Sequence, residues 1–245
     1  MKSLLFIAGP CSIDTEENLD TIARSLVQNG ITHMRAGAFK PRTSPYTFKG
    51  LGVAGLKILQ RIAHEHSLSI VSEITTLNEI SAFAEYVDVI QIGARNMQNF
   101  PLLEAAASLQ KPLIIKRGFM STIDEFLYAA EYAVTCGNNN VILCERGIRT
   151  FQQESRFSLD ITAIPIIQER TSFPLIVDPS HSTGNHNWVE KIAYAAIAAG
   201  ADGLMLEVHT TPRISLSDEQ QIIDLPTLSR IIQTSRSLQR TIYET

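Results

Sequence analysis

No apolar run in this chain is long enough to cross a membrane. The N-terminal stretch "MKSLLFIAGPCS" has one Lys and is broken by Gly9-Pro10, so it is also too short for a signal peptide. Cysteine is scarce. Cys11, Cys136 and Cys144 are an odd number without paired spacing, which argues against a disulfide framework and fits a reducing cytosol. Charge of one sign is lacking too. The 21 basic and 25 acidic side chains leave −4, which disfavours non-specific binding to nucleic acid or an anionic membrane. No Walker motif supports nucleotide binding. No linker, low-complexity segment or composition shift marks a second domain, and 44% hydrophobic residues suffice for a large core.

What is present is a repeat of short apolar runs: "SLLFIAG", "ITHMRAG", "LSIVSEI", "VDVIQIG", "PLIIKRG", "NVILCERG", "PLIVDPS" and "DGLMLEV". Most are continuous rather than alternating, as expected of parallel strands buried on both faces. Helical patterns lie between them. Asp14 with Glu17, Thr76 with Glu79, Thr122 with Glu125 and Asn187 with Glu190 have the spacing of helix starts. Asn99 is placed to cap a helix that Pro112 follows, and Gly30, Gly137 and Gly200 sit where helices stop. Eight strand–helix units in 245 residues are the count and size of a single (β/α)8 TIM barrel. A doubly wound open sheet is the alternative. The first strand begins near residue 3, so the expectation is one catalytic barrel over 1–245 without a separate regulatory domain.

In such a barrel the chemistry sits at the C-terminal ends of the strands. These ends carry Cys11, Arg35, Glu73, Arg95, Lys116 with Arg117, Glu145 with Arg146, Asp178 with His181, and Glu207 with His209. Arg35, Lys40, Arg42, Arg95, Lys116, Arg146 and Arg149 would gather at one mouth of an acidic protein. That arrangement suits a substrate with more than one anionic group. Closure brings the eighth strand beside the first and seventh, so Cys11, His181 and Glu207 would meet, with Asp218 in reach from the following loop. Thiolate, imidazole and carboxylates make a mixed site for a divalent first-row metal. His181 is read as lying in a loop. His33, Cys136 and Cys144 are read as packing residues, and His64 and His66 as solvated. His209 is read as lending support to Glu207. Glu73 either shapes the mouth or pairs with a nearby Lys or Arg.

The stretch "RAGAFKPRTSPYTF", with "GPCS", "GARNMQNF", "KRG", "CERGIRTF", "DPSHSTG" and "LEVH…LSD", resembles the 3-deoxy-arabino-heptulosonate 7-phosphate (DAHP) synthases. The type is the compact one related to 3-deoxy-manno-octulosonate 8-phosphate synthase. The resemblance runs from about residue 6 to 218, and "KPRTSP" stands where the octulosonate enzymes have a segment like "KANRSS". It implies a metal-dependent condensation of phosphoenolpyruvate with erythrose 4-phosphate that releases phosphate, at the first step of the shikimate route. It implies Cys11, His181, Glu207 and Asp218 as ligands of a divalent ion such as Mn, Fe, Zn or Co. Arg35, Arg95, Lys116 and Arg146 would hold phosphoenolpyruvate. Lys40, Arg42 and Thr43 would hold erythrose 4-phosphate, with Lys40 as proton donor and Cys11 and His181 completing the catalytic set. A cytoplasmic homotetramer is the assembly implied. Two departures stand out. After Asp218 the family usually continues "GPQS", whereas this chain reads "EQQI"; and "FQQESRFSLD" varies while keeping Arg156. Three other readings compete: the octulosonate reaction with arabinose 5-phosphate, a Schiff-base aldolase using Lys116, and a non-catalytic sensor of phosphorylated metabolites.

Overall fold

Each of the eight apolar runs contains a strand, and the segments between them supply the helices. The structure, a computed structural model, describes residues 3–40, 46–215 and 217–243. In chain order the elements are β1 (Leu5–Gly9), α1 (Glu16–Gln28), β2 (His33–Arg35), α2 (Gly52–Glu65), β3 (Ser69–Ile74), α3 (Ile80–Tyr86), β4 (Val89–Ile92) and α4 (Phe100–Ser108). There follow β5 (Leu113–Lys116), α5 (Ile123–Thr135), β6 (Val141–Glu145), α6 (Ala163–Arg170), β7 (Leu175–Val177), α7 (Pro179–Thr183), α8 (His186–Ala198), β8 (Gly203–Glu207) and α9 (Leu225–Tyr243). All neighbouring strands pair in parallel and β8 closes on β1, giving the (β/α)8 barrel. No helix among the described residues is long and apolar enough to cross a membrane.

Capping chemistry sets several helix starts. Thr76 with Glu79 and Thr122 with Glu125 form reciprocal capping boxes. Asn99 caps α4, accepting from the Leu102 N–H. Two expected caps are displaced. Thr15, not Asp14, caps α1, because Asp14 is engaged by Asn18 and His209. Asn185, not Asn187, caps α8, and Glu190 turns instead to Arg230 and Tyr194. His66 is not simply solvated: its Nε2 lies 2.7 Å from Asp20 Oδ1.

Two hydrophobic clusters follow from strand periodicity. The larger fills the space between sheet and helices and includes Phe83, Phe126, Leu143 and Leu204. The smaller consists of Ile7, Val71, Val89, Ile114, Cys144, Ile176 and Met205, all on strands, and plugs the barrel interior. Side chains alternate faces along a strand, so the next inward positions toward the C-terminal ends can be read off. They are Gly9 and then Cys11, Glu73, Gln91, Lys116, Arg146, Asp178 and Glu207. Arg35 holds the same place two residues after His33. The barrel is therefore apolar at its middle and polar at one rim by a two-residue step on every strand. Glu145 and Arg117 have the opposite parity and face away from the interior.

Two glycines are dictated by close approach. A Cβ on Gly203 would lie 1.9 Å from the Leu5 carbonyl oxygen, at the β1–β8 seam that closes the barrel. Gly50, Gly52 and Gly55 have the spacing of a dinucleotide-binding loop, but a Cβ on Gly50 would lie 2.0 Å from the Ala38 carbonyl oxygen. Its place is explained by that backbone contact, and the turn does not directly join a strand to α2 as a dinucleotide fold requires.

Opposite-parity charges anchor the loop after β6. Arg117 Nη1 donates to Glu145 Oε2 and to Asp160 Oδ2, each at 2.9 Å, and the Gly147 N–H donates to Glu145 Oε1 at 2.6 Å. Burial alone would raise the Asp160 pKa. The Thr162 hydroxyl, Arg117 and the Ala163 N–H outweigh it and hold Asp160 below its ordinary range. A depressed carboxylate stabilises the fold wherever the unfolded Asp is ionised, above about pH 4, and loses that contribution as pH falls further. Asp160→Asn should therefore lower stability at pH 7, with the gap to the parent chain narrower at pH 3. Urea unfolding at both pH values reads this out; an equal gap at both would contradict it.

Candidate active site at the C-terminal rim

The register of the closing strands builds the acidic half of the site. β1 and β8 pair Gly9 with Glu207, which sets Cys11, two residues on, beside the end of β8. Cys11 Sγ lies 2.9 Å from Asp218 Oδ2, and ligand atoms of Cys11, Glu207 and Asp218 all lie within 4.8 Å of one another. Ser12 and Ser217 hydroxyls meet at 3.0 Å and tie the β1 loop to the loop carrying Asp218. Lys40 joins from the β2 loop, its Nζ donating to the Cys11 carbonyl at 2.8 Å and lying 2.9 Å from Cys11 Sγ.

His181 is on a short helix, not in an irregular loop. Pro179 starts α7, the Asp178 carboxylate accepts from the His181 N–H, and Gly184 ends the turn in the left-handed region. The same Asp178 carboxylate lies 2.7 Å from His181 Nδ1 and 2.5 Å from Lys116 Nζ. This assigns the Nδ1 proton and turns Nε2 toward Glu207 Oε1, 3.4 Å away. Glu207 is fully buried and is also bound by Arg35 Nη1 and by the Gln221 amide.

The charge state of this cluster fits a divalent cation. Burial would raise the Glu207 pKa, but His181, Arg35 and Lys40 hold it far below the carboxylate range. Burial likewise opposes ionisation of Asp178, and His181 with Lys116 overrides it. Burial lowers the His181 pKa in spite of Asp178 and Glu207. With Nδ1 held by Asp178, Nε2 and Glu207 Oε1 face each other at 3.4 Å, two atoms that a cation between them would join. Burial, reinforced by Glu207, pushes the Cys11 thiol up to about 12, and a bound divalent cation would displace its proton. Thiolate, imidazole and two carboxylates are a donor set for a first-row metal.

The cationic half stands across the rim. Phe119 and Phe157 stack at 5.0 Å, and the Arg146 guanidinium lies 4.0 Å from the Phe157 ring centre and 5.0 Å from that of Phe119. Arg95 and Arg149 reach the same Phe119 ring at 5.4 and 5.6 Å. None of these arginines has a carboxylate partner among the described residues. Burial pulls the Arg146 pKa down to about 10, the mark of a guanidinium without a counter-ion at contact. The Arg35 Nε is buried without a hydrogen-bond partner. An anion with two acidic groups would answer both features.

Sequence-predicted residues thus fall into separate sets. Cys11, Glu207 and Asp218 meet, with His181 adjoining through Glu207 and Lys40 through Cys11. Arg35 and Lys116 are engaged by Glu207 and Asp178, while Arg95, Arg146 and Arg149 share the aromatic pair. Arg42 and Thr43 lie outside the described residues. Glu73 accepts from the Gln91 amide at 3.0 Å and pairs with no Lys or Arg among the described residues. His209 does not touch the cluster; its Nε2 lies 2.6 Å from Asp14 Oδ2 and its Nδ1 accepts from the Thr211 N–H. Sequence reasoning missed Asp178 as the orienting partner of His181 and gave no role to Phe119, Phe157 or Gln221. Inward parity signals Asp178; Phe157 and Gln221 lie in the two stretches marked as departures, and nothing in the sequence pattern signals Phe119.

Comparison with known proteins agrees along nearly the whole chain. The model of the DAHP synthetase I family matches residues 2–244. Phospho-2-dehydro-3-deoxyheptonate aldolase of Thermotoga maritima is 48% identical over 232 residues, covering 95% of this chain and 69% of that protein. The 2-dehydro-3-deoxyphosphooctonate aldolase of Geotalea daltonii is 31% identical over 255 residues, covering 97% of this chain and 93% of that protein. The crystal structure of the Thermotoga maritima DAHP synthase superposes with a TM-score of 0.95 at 46% identity, over 98% of this chain and 70% of that one. A truncated form of the 3-deoxy-D-arabino-heptulosonate 7-phosphate synthase from Thermotoga maritima gives a TM-score of 0.91 at 42% identity, over 98% and 88%. The chain belongs to the DAHP synthetase I family, a family of carbon–carbon bond-forming transferases.

Proposed function

We propose that this chain condenses phosphoenolpyruvate with erythrose 4-phosphate to the seven-carbon DAHP, releasing phosphate, in a metal-dependent reaction of the shikimate route. The observation that carries this reading is the division of the rim into an unpaired arginine cluster and a buried thiol–imidazole–carboxylate cluster, with Lys40 against Cys11. Identity of 48% to a heptonate enzyme, against 31% to an octonate enzyme, supports the four-carbon acceptor.

Arg95 and Arg146 would receive the phosphate of phosphoenolpyruvate. Arg35, with its unpartnered Nε, and Lys116 would line the carboxylate end. Lys116 is already ion-paired with Asp178, which suits fixed positive charge and argues against its acting as a nucleophilic amine. Arg42 and Thr43 would clamp the sugar phosphate. A divalent cation held by Cys11, His181, Glu207 and Asp218 would supply Lewis acidity to the aldehyde oxygen.

Carbon 3 of phosphoenolpyruvate attacks the aldehyde carbon, forming the new carbon–carbon bond. The aldehyde oxygen takes a proton from the Lys40 ammonium, which stands within reach of any group bound beside Cys11. Water adds at carbon 2, and the proton it sheds balances the one Lys40 gave. The bond from carbon 2 to the phosphate ester oxygen then breaks. Inorganic phosphate leaves with the proton of the carbon 2 hydroxyl, and carbon 2 becomes the ketone. Asp178 keeps His181 and Lys116 in place throughout, so catalysis is chiefly positioning and preorganised charge.

Phosphate release from phosphoenolpyruvate tests the reaction. It should require erythrose 4-phosphate, cease on chelation and return with a divalent ion. Release with arabinose 5-phosphate instead would reassign the acceptor, and activity after verified metal removal would refute the metal role. Lys40→Ala should lower turnover by roughly 10²–10⁴-fold while phosphoenolpyruvate still binds in calorimetry. Retained turnover would remove Lys40 as the acid.

A further inference from the structure

Within "EQQI", the stretch that follows Asp218, Gln221 holds the place of the glutamine in the family's "GPQS" and so survives the departure around it. Gln221 is 2% exposed, and both ends of its amide are used. Its Nε2 donates to Glu207 Oε2, and its Oε1 accepts from Arg156 Nη1 at 2.7 Å. The same Nη1 donates to Asp218 Oδ1 at 3.2 Å. Each carboxylate is thereby divided. Asp218 gives Oδ1 to Arg156 and turns Oδ2 to Cys11 Sγ. Glu207 gives Oε2 to Gln221 and keeps Oε1, which Arg35 Nη1 also binds, on the side of His181.

The backbone around this contact is equally constrained. Asp218 has φ +57°, a left-handed conformation that residues other than glycine seldom adopt. The Gln221 N–H donates to the Asp218 carbonyl at 3.1 Å and closes that turn. The Arg156 N–H donates to the Thr183 carbonyl at 3.1 Å, which ties Arg156 to the helix bearing His181. One arginine thus contacts the segments of two of the four proposed ligands, Asp218 and His181, and reaches a third, Glu207, through Gln221.

We propose that Arg156 and Gln221 form a clamp that selects which oxygens of Asp218 and Glu207 face a bound divalent cation, and so sets the affinity of the site. They are positioning residues, and the inference rests on the metal reading given above. The neutral amide matters. It transmits the orientation of Arg156 to Glu207 while keeping a second guanidinium, beyond that of Arg35, away from a carboxylate needed for the cation.

The test is Mn(II) and Co(II) affinity, measured by chelator competition on metal-stripped full-length protein. Gln221→Met and Arg156→Met should each raise Kd about 10- to 100-fold, with Arg156→Lys intermediate. The thiolate-to-cobalt absorption should persist at saturating Co(II), because Cys11 is untouched. Thermal unfolding of the metal-free variants separates this from a purely structural role, which would lower the midpoint and leave Kd unmoved. Should buried Gln221→Met fail to fold, the partly exposed Arg156 variants carry the test. A Kd within about twofold of the parent in folded variants, while Cys11→Ala abolishes binding, would overturn the clamp alone. Binding that Cys11→Ala and Glu207→Gln leave intact would overturn the metal reading and the clamp with it.

Discussion

The buried carboxylate of Glu207 is the group around which the rim is organised. An ionised carboxylate without solvent contact is costly unless partners surround it. Here those partners come from the ends of distinct elements: Arg35 from β2, His181 from α7 and Gln221 from the loop after β8. Cys11 and Asp218 close the group from the β1 and β8 loops. Removing Arg35 would leave the Glu207 carboxylate buried without its guanidinium, so the cluster couples barrel closure to site geometry. At the same β1–β8 seam Gly203 admits no larger side chain against the Leu5 carbonyl.

Charge is also distributed with a purpose across the rim. Arg35 and Lys116 are neutralised by Glu207 and Asp178, whereas Arg95, Arg146 and Arg149 rest on aromatic rings and keep their charge available. Aromatic faces support guanidinium groups without cancelling them. A net charge of −4 is thus compatible with a strongly cationic mouth, because the acidic excess lies elsewhere or is buried with a partner. Separating an anion-receiving surface from a cation-receiving cluster allows a phosphorylated nucleophile and a polarised carbonyl to be held side by side.

Much of this was legible in the sequence because the barrel obeys short-range rules. Eight continuous apolar runs marked the strands, and a two-residue step beyond the inward apolar positions marks the polar rim. Cys11, His181, Glu207 and Asp218 could be grouped only by assuming closure, since no local spacing joins them. What escaped depended on side chains choosing between partners. Asp14 had the spacing of a cap but serves Asn18 and His209, and Thr15 caps instead. His181 looked like a loop residue because a helix of five residues is too short for hydrophobic periodicity; Asp178 and Gly184 define it. Phe119 and Phe157 meet through loops, and Gln221 acts through an amide whose two ends contact residues remote from it. The "KPRT" segment, prominent in the sequence, lies mainly outside the described residues, so its role rests on resemblance.

The most direct measurement is a crystal structure of the protein with Mn(II) and phosphoenolpyruvate, with anomalous scattering used to locate the metal. The expected result is one metal peak bonded to Cys11, His181, Glu207 and Asp218, with the phosphate of phosphoenolpyruvate against Arg95 and Arg146. A metal bound elsewhere, or a phosphate seated away from the arginine cluster, would contradict the division of the rim on which the proposed chemistry depends.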